Sequence, residues 1–594
     1  MKPKSRTELV EAALGKRACS LVIKNANVVN LFTGEIYGGD VGIFDGFIAH
    51  IEKQAEDGEP RKEEIQGEEI FDAEGKYLIP GLIDSHLHIE STMMTPGRFA
   101  EVVIPHGTTT VITDPHEIAN VFGVKGVRYM HEASADLPMR QLILAPSCVP
   151  SVKGKEVSGA SFGPREIKEM LRLERVIGLA EVMDYPGVIG NNPRMVEIIE
   201  AVDSQGGFIQ GHAPFVTGRD LSAYLCAGPK SDHENKTAAE TREKIEMGMY
   251  IDARESSASK NLKEVIEGIQ GSRYLDSLTL CTDDREPEDI LSKGHMNDVV
   301  KTAIKHGLHP VDALRCATLH TAREVGLANL GAVAPGYAAD LIVTPSIEDI
   351  FPAAVFFAGK LVAKNGKMTV EIDQGKLPLE SDNSLNISFF DSEDFIIKAP
   401  AKDGTIKTRI IEYRTLDAST TDVISKDLPV KNGCVDISHD SDLKYVAIMN
   451  RYEGNDRMGQ GIVKNFGIQE GAVGSTVSHD CHNMILVYDT IENAYLVAQE
   501  ILKMKGGICC ARNGQIVSTL PLPVGGLMSR LSCEELSVQA KNMKEALRKL
   551  GLTGLENPLL RIGFLALAVI PNVKMTDQGI IDVASQKILP LFYR

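Results

Sequence analysis

The chain of 594 residues has no apolar run of the roughly 20 residues that a helix needs to cross a bilayer. The N-terminus carries basic side chains but lacks the apolar segment that is typical of a secretory signal peptide. We therefore expect a protein that is neither secreted nor embedded in a membrane.

Cysteines in metal-binding or disulfide spacing are also lacking. The ten cysteines are scattered from Cys19 to Cys533, and only Cys509 and Cys510 are close neighbours, so neither a CxxC clip nor a disulfide framework is present. Cys509 and Cys510 lie in an apolar strand-like run, which favours a buried position over redox chemistry. This cysteine usage predicts a reducing, cytoplasmic location.

Positively charged side chains are in the minority. Lys and Arg number 63 against 81 Asp and Glu, which gives a net charge of −18 and a pI near 5.4. Such a charge repels phosphate backbones and anionic lipid, so we expect neither nucleic acid nor a membrane surface as a partner. Hydrophobic residues at 43% and charged residues at 24% are close to the soluble globular average, which excludes disordered and fibrous classes.

Apolar strand runs alternate with helical stretches between Gly81 and about Leu330. This alternation predicts parallel βαβ units, and eight such units close into a (β/α)8 barrel of the α/β class. Many of the helical stretches end at a glycine, which suits a helix C-cap. The predicted strands are LIDSHLH, TTTVITD, QLILAPSC, RVIGLAEV, GFIQGHA, a short one ending PKSDHE, MYIDARE and LDSLTLCTDD.

Strand patterns flank the barrel on both sides. Residues 20–80 contain short alternating strands, and strand character returns after the barrel. We predict that residues 1–80 and 331–370 form one small split β-sandwich domain, into which the barrel of residues 81–330 is inserted. Residues 371–404 are polar and rich in turns, which predicts a linker, and residues 405–594 are predicted to form a C-terminal α+β domain.

Possible metal ligands stand at the end of the first barrel strand. Asp84, His86 and His88 alternate along it. Residues i and i+2 of a strand point to the same face, so both imidazoles could bind one metal ion. A His-x-His triplet can occur by chance, so the motif needs support from other parts of the chain.

That support comes from the ends of later barrel strands. Glu181 ends strand four, His212 strand five, His233 strand six and Asp283 strand eight. The carboxyl-terminal rim is where barrel enzymes build their active sites. A single histidine there is more often a packed or solvent-facing residue, whereas four histidines with two carboxylates favour a two-metal hydrolytic site.

The mixture of ligands suits hydrolysis. The histidines of strand one would hold one cation, those of strands five and six the other, and the two oxygens of Glu181 could bridge them. Bound cations lower the pKa of water towards about 7, and Asp283 could pass the released proton to the leaving group. Strand phase does not choose between Asp283 and the adjacent Asp284. Mixed imidazole and carboxylate ligands suit Zn, Mn or Fe.

Several long segments are more specific than the His-x-His triplet. In the barrel they are PGLIDSHLHIESTMMTP, PHGTTTVITDPHEIANVFG, AEVMDYPGVIG, GHAP, SDHE, ARESSASKNL and CTDDR, followed by GAVAPGYAADLIV. GAVGSTVSHDCHN and LPLPVGGLMS lie in the predicted C-terminal domain. Together these segments resemble the amidohydrolase superfamily and, within it, adenine deaminases of the microbial type. The resemblance spans nearly the whole chain.

The resemblance implies hydrolysis of adenine to hypoxanthine and ammonia, as in purine salvage. It implies two divalent cations per subunit, with Mn or Fe favoured and Zn as an alternative, and Asp283 as the proton shuttle. Glu181 stands where many superfamily members carry a carbamylated lysine. A homodimer is a further expectation. The implied metal ligands are His86, His88, Glu181, His212, His233 and Asp283. The loops depart from the family pattern at Asp184, Tyr185, Phe215, Val216, Thr217 and Ser256.

Other polar residues on the rim have two interpretations. His116 and Glu117, in the DPHE run after strand two, could contact the substrate or belong to a polar loop that fixes the turn. Arg254 and Glu255 follow strand seven, where a structural ion pair is the simpler interpretation.

A dense polar cluster lies in the predicted C-terminal domain. It consists of His479, Asp480, His482 and Asn483. These side chains could fold over the barrel mouth and touch the substrate or a metal, or they could form a hydrogen-bond network at a domain interface.

Two alternatives to adenine deamination stay open from the sequence. One is hydrolysis of a C–N bond in another amino-azine, a cyclic amide or an acylated amine. The other is a metal-free barrel kept as a scaffold, against which the six filled ligand positions count. The lack of a Walker or Rossmann glycine pattern and the acidic charge favour a free base over a phosphorylated nucleotide as the substrate.

Overall fold

A computed structural model describes residues 2–54, 64–387, 390–415, 419–454, 457–555 and 557–593. The chain begins with a short helix and five strands. Ser5 caps the helix by accepting a hydrogen bond from the backbone NH of Glu8. These elements are α1 (Arg6–Ala13), β1 (Cys19–Val29), β2 (Ile36–Phe44), β3 (Phe47–Lys53), β4 (Gly67–Asp72) and β5 (Tyr77–Pro80).

The barrel follows, and all eight predicted strands are present. Their side chains are almost all buried, as expected for strands covered on both faces. They are β6 (Leu82–Leu87), β7 (Thr108–Thr113), β8 (Arg140–Ala145), β9 (Val176–Val182), β10 (Phe208–Gly211), β11 (Ser231–Asp232), β12 (Tyr250–Arg254) and β13 (Leu278–Cys281).

Two runs of parallel strands make up the barrel wall. Strands β6 to β10 pair in sequence order, and so do β11 to β13. A parallel bridge between Leu87 and Asp283 joins the two ends, and the NH of Lys230 donates to the carbonyl of Ile209 across the other seam. The predicted (β/α)8 architecture is confirmed.

Helices surround the barrel, and several begin with proline, whose fixed φ suits the first turn. A π-helical turn, Cys316–His320, joins the last two. The helices are α2 (Pro96–Val103), α3 (His116–Phe122), α4 (Val124–Ala133), α5 (Pro164–Met170), α6 (Tyr185–Ile189), α7 (Pro193–Asp203), α8 (Gly218–Ala227), α9 (Ala238–Glu246), α10 (Leu262–Ile269), α11 (Pro287–Lys293), α12 (Met296–Lys305), α13 (Pro310–Arg315) and α14 (Thr321–Glu324).

Strands from before and after the barrel share one sheet. The later strands are β14 (Leu341–Thr344), β15 (Ala354–Phe357), β16 (Lys360–Lys364) and β17 (Lys367–Met368). The order is β17-β16-β15-β14-β5-β1-β2-β3, with β4 paired to β1, and β14 runs antiparallel to β5. The rings of Phe71 and Phe356 meet at 5.1 Å, so distant strands of this sheet face each other. Residues 55–63 of the predicted small domain lie outside the described residues.

In the described part of 371–403, the regular structure consists of short helical turns at Pro378–Ser381 and Ser392–Phe395. The segment is nevertheless packed, because Phe395 is buried and its carbonyl accepts a hydrogen bond of 2.8 Å from the hydroxyl of Tyr488. Its second half therefore lies against the C-terminal part of the chain.

The C-terminal part is a mixed α/β unit built on a nine-stranded sheet of order β20-β19-β18-β22-β21-β24-β23-β25-β26. Strands β27 to β29 form a separate small sheet. The elements are β18 (Gly404–Tyr413), β19 (Thr421–Lys431), β20 (Cys434–Val435), β21 (Leu443–Met449), β22 (Met458–Lys464), β23 (Ala472–Ser475), β24 (Met484–Tyr488), α15 (Ile491–Met504), β25 (Gly507–Arg512), β26 (Gln515–Pro521), α16 (Cys533–Leu550), α17 (Leu559–Gly563), β27 (Val573–Thr576), β28 (Gly579–Asp582) and β29 (Lys587–Leu589).

This C-terminal unit sits on the carboxyl-terminal rim of the barrel. The ammonium of Lys544 pairs with Glu286 at 2.5 Å and with Glu288 at 2.6 Å, both beyond β13. After β6, the NH of Ser529 donates to the carbonyl of Met93 at 2.8 Å. The C-terminal unit therefore covers the rim on which the predicted ligands stand. Within the described residues, no helix has the length and apolar character needed to cross a bilayer.

Candidate metal centre

His86 and His88 stand at the carboxyl end of β6 with their rings 4.8 Å apart. The Nδ1 of His88 lies 2.9 Å from the carbonyl oxygen of Asp114, which can only accept, so Nδ1 is the donor. The Nδ1 of His86 lies 2.8 Å from Oε1 of Gln210, whose amide nitrogen donates to the carbonyl of Ser85. Both rings therefore present the lone pair of Nε2, as histidines that bind metals do.

These lone pairs face carboxylate oxygens. The Nε2 of His86 is 3.6 Å from Oδ1 of Asp283 and has no hydrogen-bond partner among the described residues. The Nε2 of His88 is 3.3 Å from the same oxygen and 3.6 Å from Oε1 of Glu181. In neutral rings the Nε2 lone pairs and the carboxylate oxygens are all hydrogen-bond acceptors, and they approach one another in a buried space. A cation between them would satisfy this arrangement. The donor set thus fits a divalent metal.

Glu181, at the end of β9, lies between the two groups of histidines. Its Oε1 faces His88, and its Oε2 lies 2.5 Å from Nδ1 of His212 and 3.3 Å from Nε2 of His233. The rings of His86 and His233 stack at 4.0 Å, which brings the two groups together. The carboxylate is buried, which opposes its charge, but His212 and His233 hold its pKa well below the ordinary value. One oxygen towards each group is the arrangement that a bridging carboxylate needs.

Asp283 follows β13 and has a φ of 53°, a left-handed conformation that is uncommon for a residue with a side chain. Its NH donates to the carbonyl of His86 at 3.0 Å, which holds the turn against β6. Oδ1 faces the histidines, and Oδ2 contacts the guanidinium of Arg254. Burial opposes the charge of Asp283, but Arg254 and the histidines keep its pKa well below the ordinary value.

The neighbouring Asp284 is directed elsewhere. Its Oδ1 accepts a hydrogen bond of 2.6 Å from the hydroxyl of Ser91. Burial and the charge of Asp283 raise the pKa of Asp284. The structure thus distinguishes the two aspartates, because it brings Asp283 to the histidines. Sequence spacing could not make this distinction.

Asp84 is not part of this cluster, although it belongs to the same strand motif. Its carboxylate accepts hydrogen bonds from the NH of Thr282 at 3.1 Å and from its hydroxyl at 2.6 Å. Burial raises the pKa of Asp84 to about 7, against the opposing effect of these hydrogen bonds. Asp84 therefore ties β6 to β13 directly beneath the cluster.

Arg254 is a site residue to which sequence reasoning gave a structural role. It ends β12, and its buried guanidinium contacts both Asp283 and, at 2.5 Å, Oε1 of Glu234. The ion pair is real, but it is made with the predicted proton shuttle. The only signal in the sequence was the position of Arg254 at a strand end.

His116 and Glu117, predicted to contact substrate, open α3 and diverge. The Nδ1 of His116 lies 3.0 Å from Oδ2 of Asp114 and 3.4 Å from Oε1 of Glu181, so this ring is packed against the candidate ligands. Glu117 instead faces Ser91, whose hydroxyl is 3.3 Å from Oε1.

The polar cluster of the C-terminal unit reaches the same rim. The Nδ1 of His479 lies 3.4 Å from Oε1 of Glu117, and the Nε2 of His482 lies 3.9 Å from Oε2. Oδ1 of Asp480 is 4.0 Å from Nε2 of His116. Asn483 donates to the carbonyl of Val157 at 2.8 Å. Both interpretations of this cluster have support, since it lies at an interface and beside the candidate site.

Two of the loop departures have local structural roles. Asp184 caps α6 by accepting a hydrogen bond of 2.9 Å from the NH of Gly187. The hydroxyl of Ser256 donates to the carbonyl of Ser259 at 2.7 Å. Both hydrogen bonds are made within the loops, and neither involves one of the histidines.

Comparison with known proteins gives consistent matches. Residues 77–406 match the amidohydrolase family, and residues 418–587 match the adenine deaminase C-terminal domain. "Adenine deaminase 2" of Carboxydothermus hydrogenoformans is 37% identical over 98% of this chain and 99% of its own length. The adenine deaminases of Desulfatibacillum aliphaticivorans and Methanothrix thermoacetophila are 39% and 37% identical, again over 98% of this chain and 99% of theirs.

Proposed function

The chain belongs to the adenine deaminase family of the amidohydrolases, and we propose that its cluster of histidines and carboxylates is a binuclear metal site that hydrolyses adenine to hypoxanthine and ammonia. The observation that carries this proposal is the approach of histidine lone pairs to carboxylate oxygens in a buried space. The proposed ligands are His86, His88, Glu181, His212, His233 and Asp283.

Each ligand would have a defined place. His86 and His88 would hold one cation, His212 and His233 the other, and Glu181 would contact both. Two bound cations would supply a Lewis acid and lower the pKa of a coordinated water towards about 7. Mixed imidazole and carboxylate donors suit Mn or Fe, with Zn as an alternative.

Asp283 is the proposed proton shuttle. Because Arg254 contacts Oδ2, Oδ1 is the oxygen left to accept a proton from the attacking water. Passing that proton to the departing amine turns adenine and water into hypoxanthine and ammonia. The low pKa of Asp283 keeps the carboxylate in the accepting form at neutral pH.

Substrate contacts and the cellular setting complete the proposal. We propose that the substrate is a free purine held near His116 and Glu117, and that a homodimer acts in the cytoplasm in purine salvage. The acidic chain, with its net charge of −18, favours a free base over a phosphorylated nucleotide.

A substrate panel tests the reaction. Protein purified after Mn-supplemented expression would be assayed for ammonia release from adenine, adenosine, guanine, other amino-azines and a cyclic amide. We expect ammonia and hypoxanthine in equal amounts from adenine. Turnover of another amine without any hypoxanthine from adenine would contradict the proposed substrate and leave the hydrolytic site in place.

Replacement of Arg254 tests the protonation of Asp283. Arg254→Met removes the cation that favours the carboxylate, so the pKa of Asp283 rises and the group stays protonated to a higher pH. We expect the acid limb of the kcat profile to move upwards by about one pH unit. Arg273→Met, at an exposed position, is the control and should leave the profile unchanged. An unmoved acid limb in Arg254→Met would contradict the proposed pairing.

A further inference from the structure

We propose that His482 of the C-terminal unit binds the purine, donating its Nε2 proton to N3 on the ring edge opposite the reacting amine, beside Glu117, which accepts the proton on N9. This inference rests on the proposed function, because it takes adenine as the substrate. It makes the C-terminal unit part of the active site and the part that selects a free base.

The first observation is an unpartnered donor. His482 is completely buried, and its Nε2 has no hydrogen-bond partner among the described residues. An imidazole nitrogen left in this state costs free energy. A ligand that supplies the missing partner recovers that free energy on binding.

The second observation fixes which nitrogen carries the proton. The NH of Ser478 donates to Nδ1 of His482 at 3.2 Å, so the lone pair of Nδ1 is occupied. In the neutral ring the proton is then on Nε2. Burial first, and then the neighbouring side chains of His479 and Arg451, hold the pKa of His482 well below the ordinary value, so the ring is neutral.

The same observation argues against a metal at this position. Glu117, His479 and His482 approach closely enough to share one ion. To bind a metal, Nε2 must offer a lone pair, and the proton of the neutral ring would then be on Nδ1. The NH of Ser478 donates to Nδ1, so a proton there would meet another donor. His482 is therefore a hydrogen-bond donor.

Glu117 supplies an acceptor next to this donor. Its Oε2 lies 3.9 Å from Nε2 of His482, which is too far for a hydrogen bond between them. Its Oε1 already faces the hydroxyl of Ser91 and Nδ1 of His479. The hydroxyl of Ser91 also donates to Asp284, the neighbour of the proton shuttle. The donor and acceptor pair is thus adjacent to the proposed reaction centre.

The chemistry of adenine selects the edge that this pair would bind. The carbon that carries the amine must face the metal ligands, which turns the N3 and N9 edge away from them. A free base offers an acceptor at N3 and a donor at N9, the complement of the two side chains. A nucleoside has a sugar on N9 and lacks that donor. A site built around a hydrogen bond discriminates strongly against ligands that cannot make it.

The contact is tested by a double-mutant-type cycle, in which one change is made in the ligand and the other in the protein. The Kd of hypoxanthine and of 3-deazahypoxanthine, in which N3 is a CH group, would be measured by calorimetry on the Mn-loaded enzyme. We expect the wild type to bind hypoxanthine about 10-fold or more tightly than the 3-deaza analogue. In His482→Leu this ratio should fall to about one, whereas His482→Gln, which keeps an amide donor, should retain part of it.

The controls separate this inference from the proposed function. His439→Leu, at an exposed position of the same unit, should keep the wild-type ratio. Failure of the wild type to form hypoxanthine from adenine would contradict the function, whereas the binding ratio does not depend on turnover. Equal affinities of the two ligands for the wild type would overturn the inference, and this measurement needs no variant to fold. A third equivalent of Mn that is lost in His482→Leu would also overturn it, in favour of a metal site.

Discussion

Glu181→Ala is expected to lower kcat for adenine by about 10³-fold or more and to reduce the Mn content below two equivalents. The reason is geometric, because the two oxygens of Glu181 face different groups of histidines. Loss of the side chain removes the only proposed bridge and leaves the buried histidines without their shared carboxylate. Metal analysis and the rate of hypoxanthine formation measure the two effects on the same sample.

Glu197→Ala is the matched control for this prediction. Glu197 is an exposed residue of α7, the second helix after the strand that carries Glu181. It should keep both the metal content and the rate. A Glu181→Ala enzyme that retained two equivalents of Mn and its full rate would show that the carboxylate is not a bridge.

Asp283→Asn is expected to retain metal and to lose about 10²- to 10⁴-fold in kcat. An amide keeps the shape of the side chain and an oxygen for Arg254, but it does not accept the proton of the attacking water. Because the defect concerns proton transfer, KM for adenine should change far less than kcat. Steady-state kinetics with metal analysis separate this result from simple loss of the site.

Asp284→Asn is the natural comparison, since the two residues are adjacent in the chain. Asp284 accepts a hydrogen bond from Ser91, and it is not one of the proposed metal ligands, so we expect a decrease of less than about tenfold. If Asp283→Asn turned over normally and Asp284→Asn did not, the role of proton shuttle would pass to Asp284.

Much of the fold follows from patterns that the sequence displays directly. The eight barrel strands are short apolar runs separated by helical stretches. This alternation can be recognised in the sequence without knowledge of the tertiary contacts. Strand patterns on both sides of the barrel also predicted one shared small domain, but they did not predict which strands pair, such as β14 with β5. The segment 371–404 is different: its polar composition predicts a linker, but single apolar residues such as Phe395 anchor it to the C-terminal unit.

The candidate site was predictable to the extent that strand ends determine it. Residues at the carboxyl ends of parallel strands converge on one rim, so the order of strands along the chain suffices to bring His86, Glu181 and Asp283 together. Contacts within the rim depend on side-chain directions that spacing does not give. Arg254 could be assigned an ion pair from sequence but not Asp283 as its partner.

The contribution of the C-terminal unit was the hardest part to predict. His482 and Glu117 are separated by more than half of the chain, and no local pattern links the two segments. Their approach depends on how the C-terminal unit docks on the rim, for example through Lys544 and the residues after β13. Likewise, His116 and Glu117 are neighbours in sequence, but the first turn of α3 directs them to different partners.

Titration of metal-free protein with Mn, while hypoxanthine formation from adenine is followed, tests the central claim most directly. Two cations held jointly by the six ligands predict a rate that rises until two equivalents per chain are bound and then stays constant. A rate that is complete at one equivalent, or that does not respond to Mn, Fe or Zn, would contradict a binuclear site.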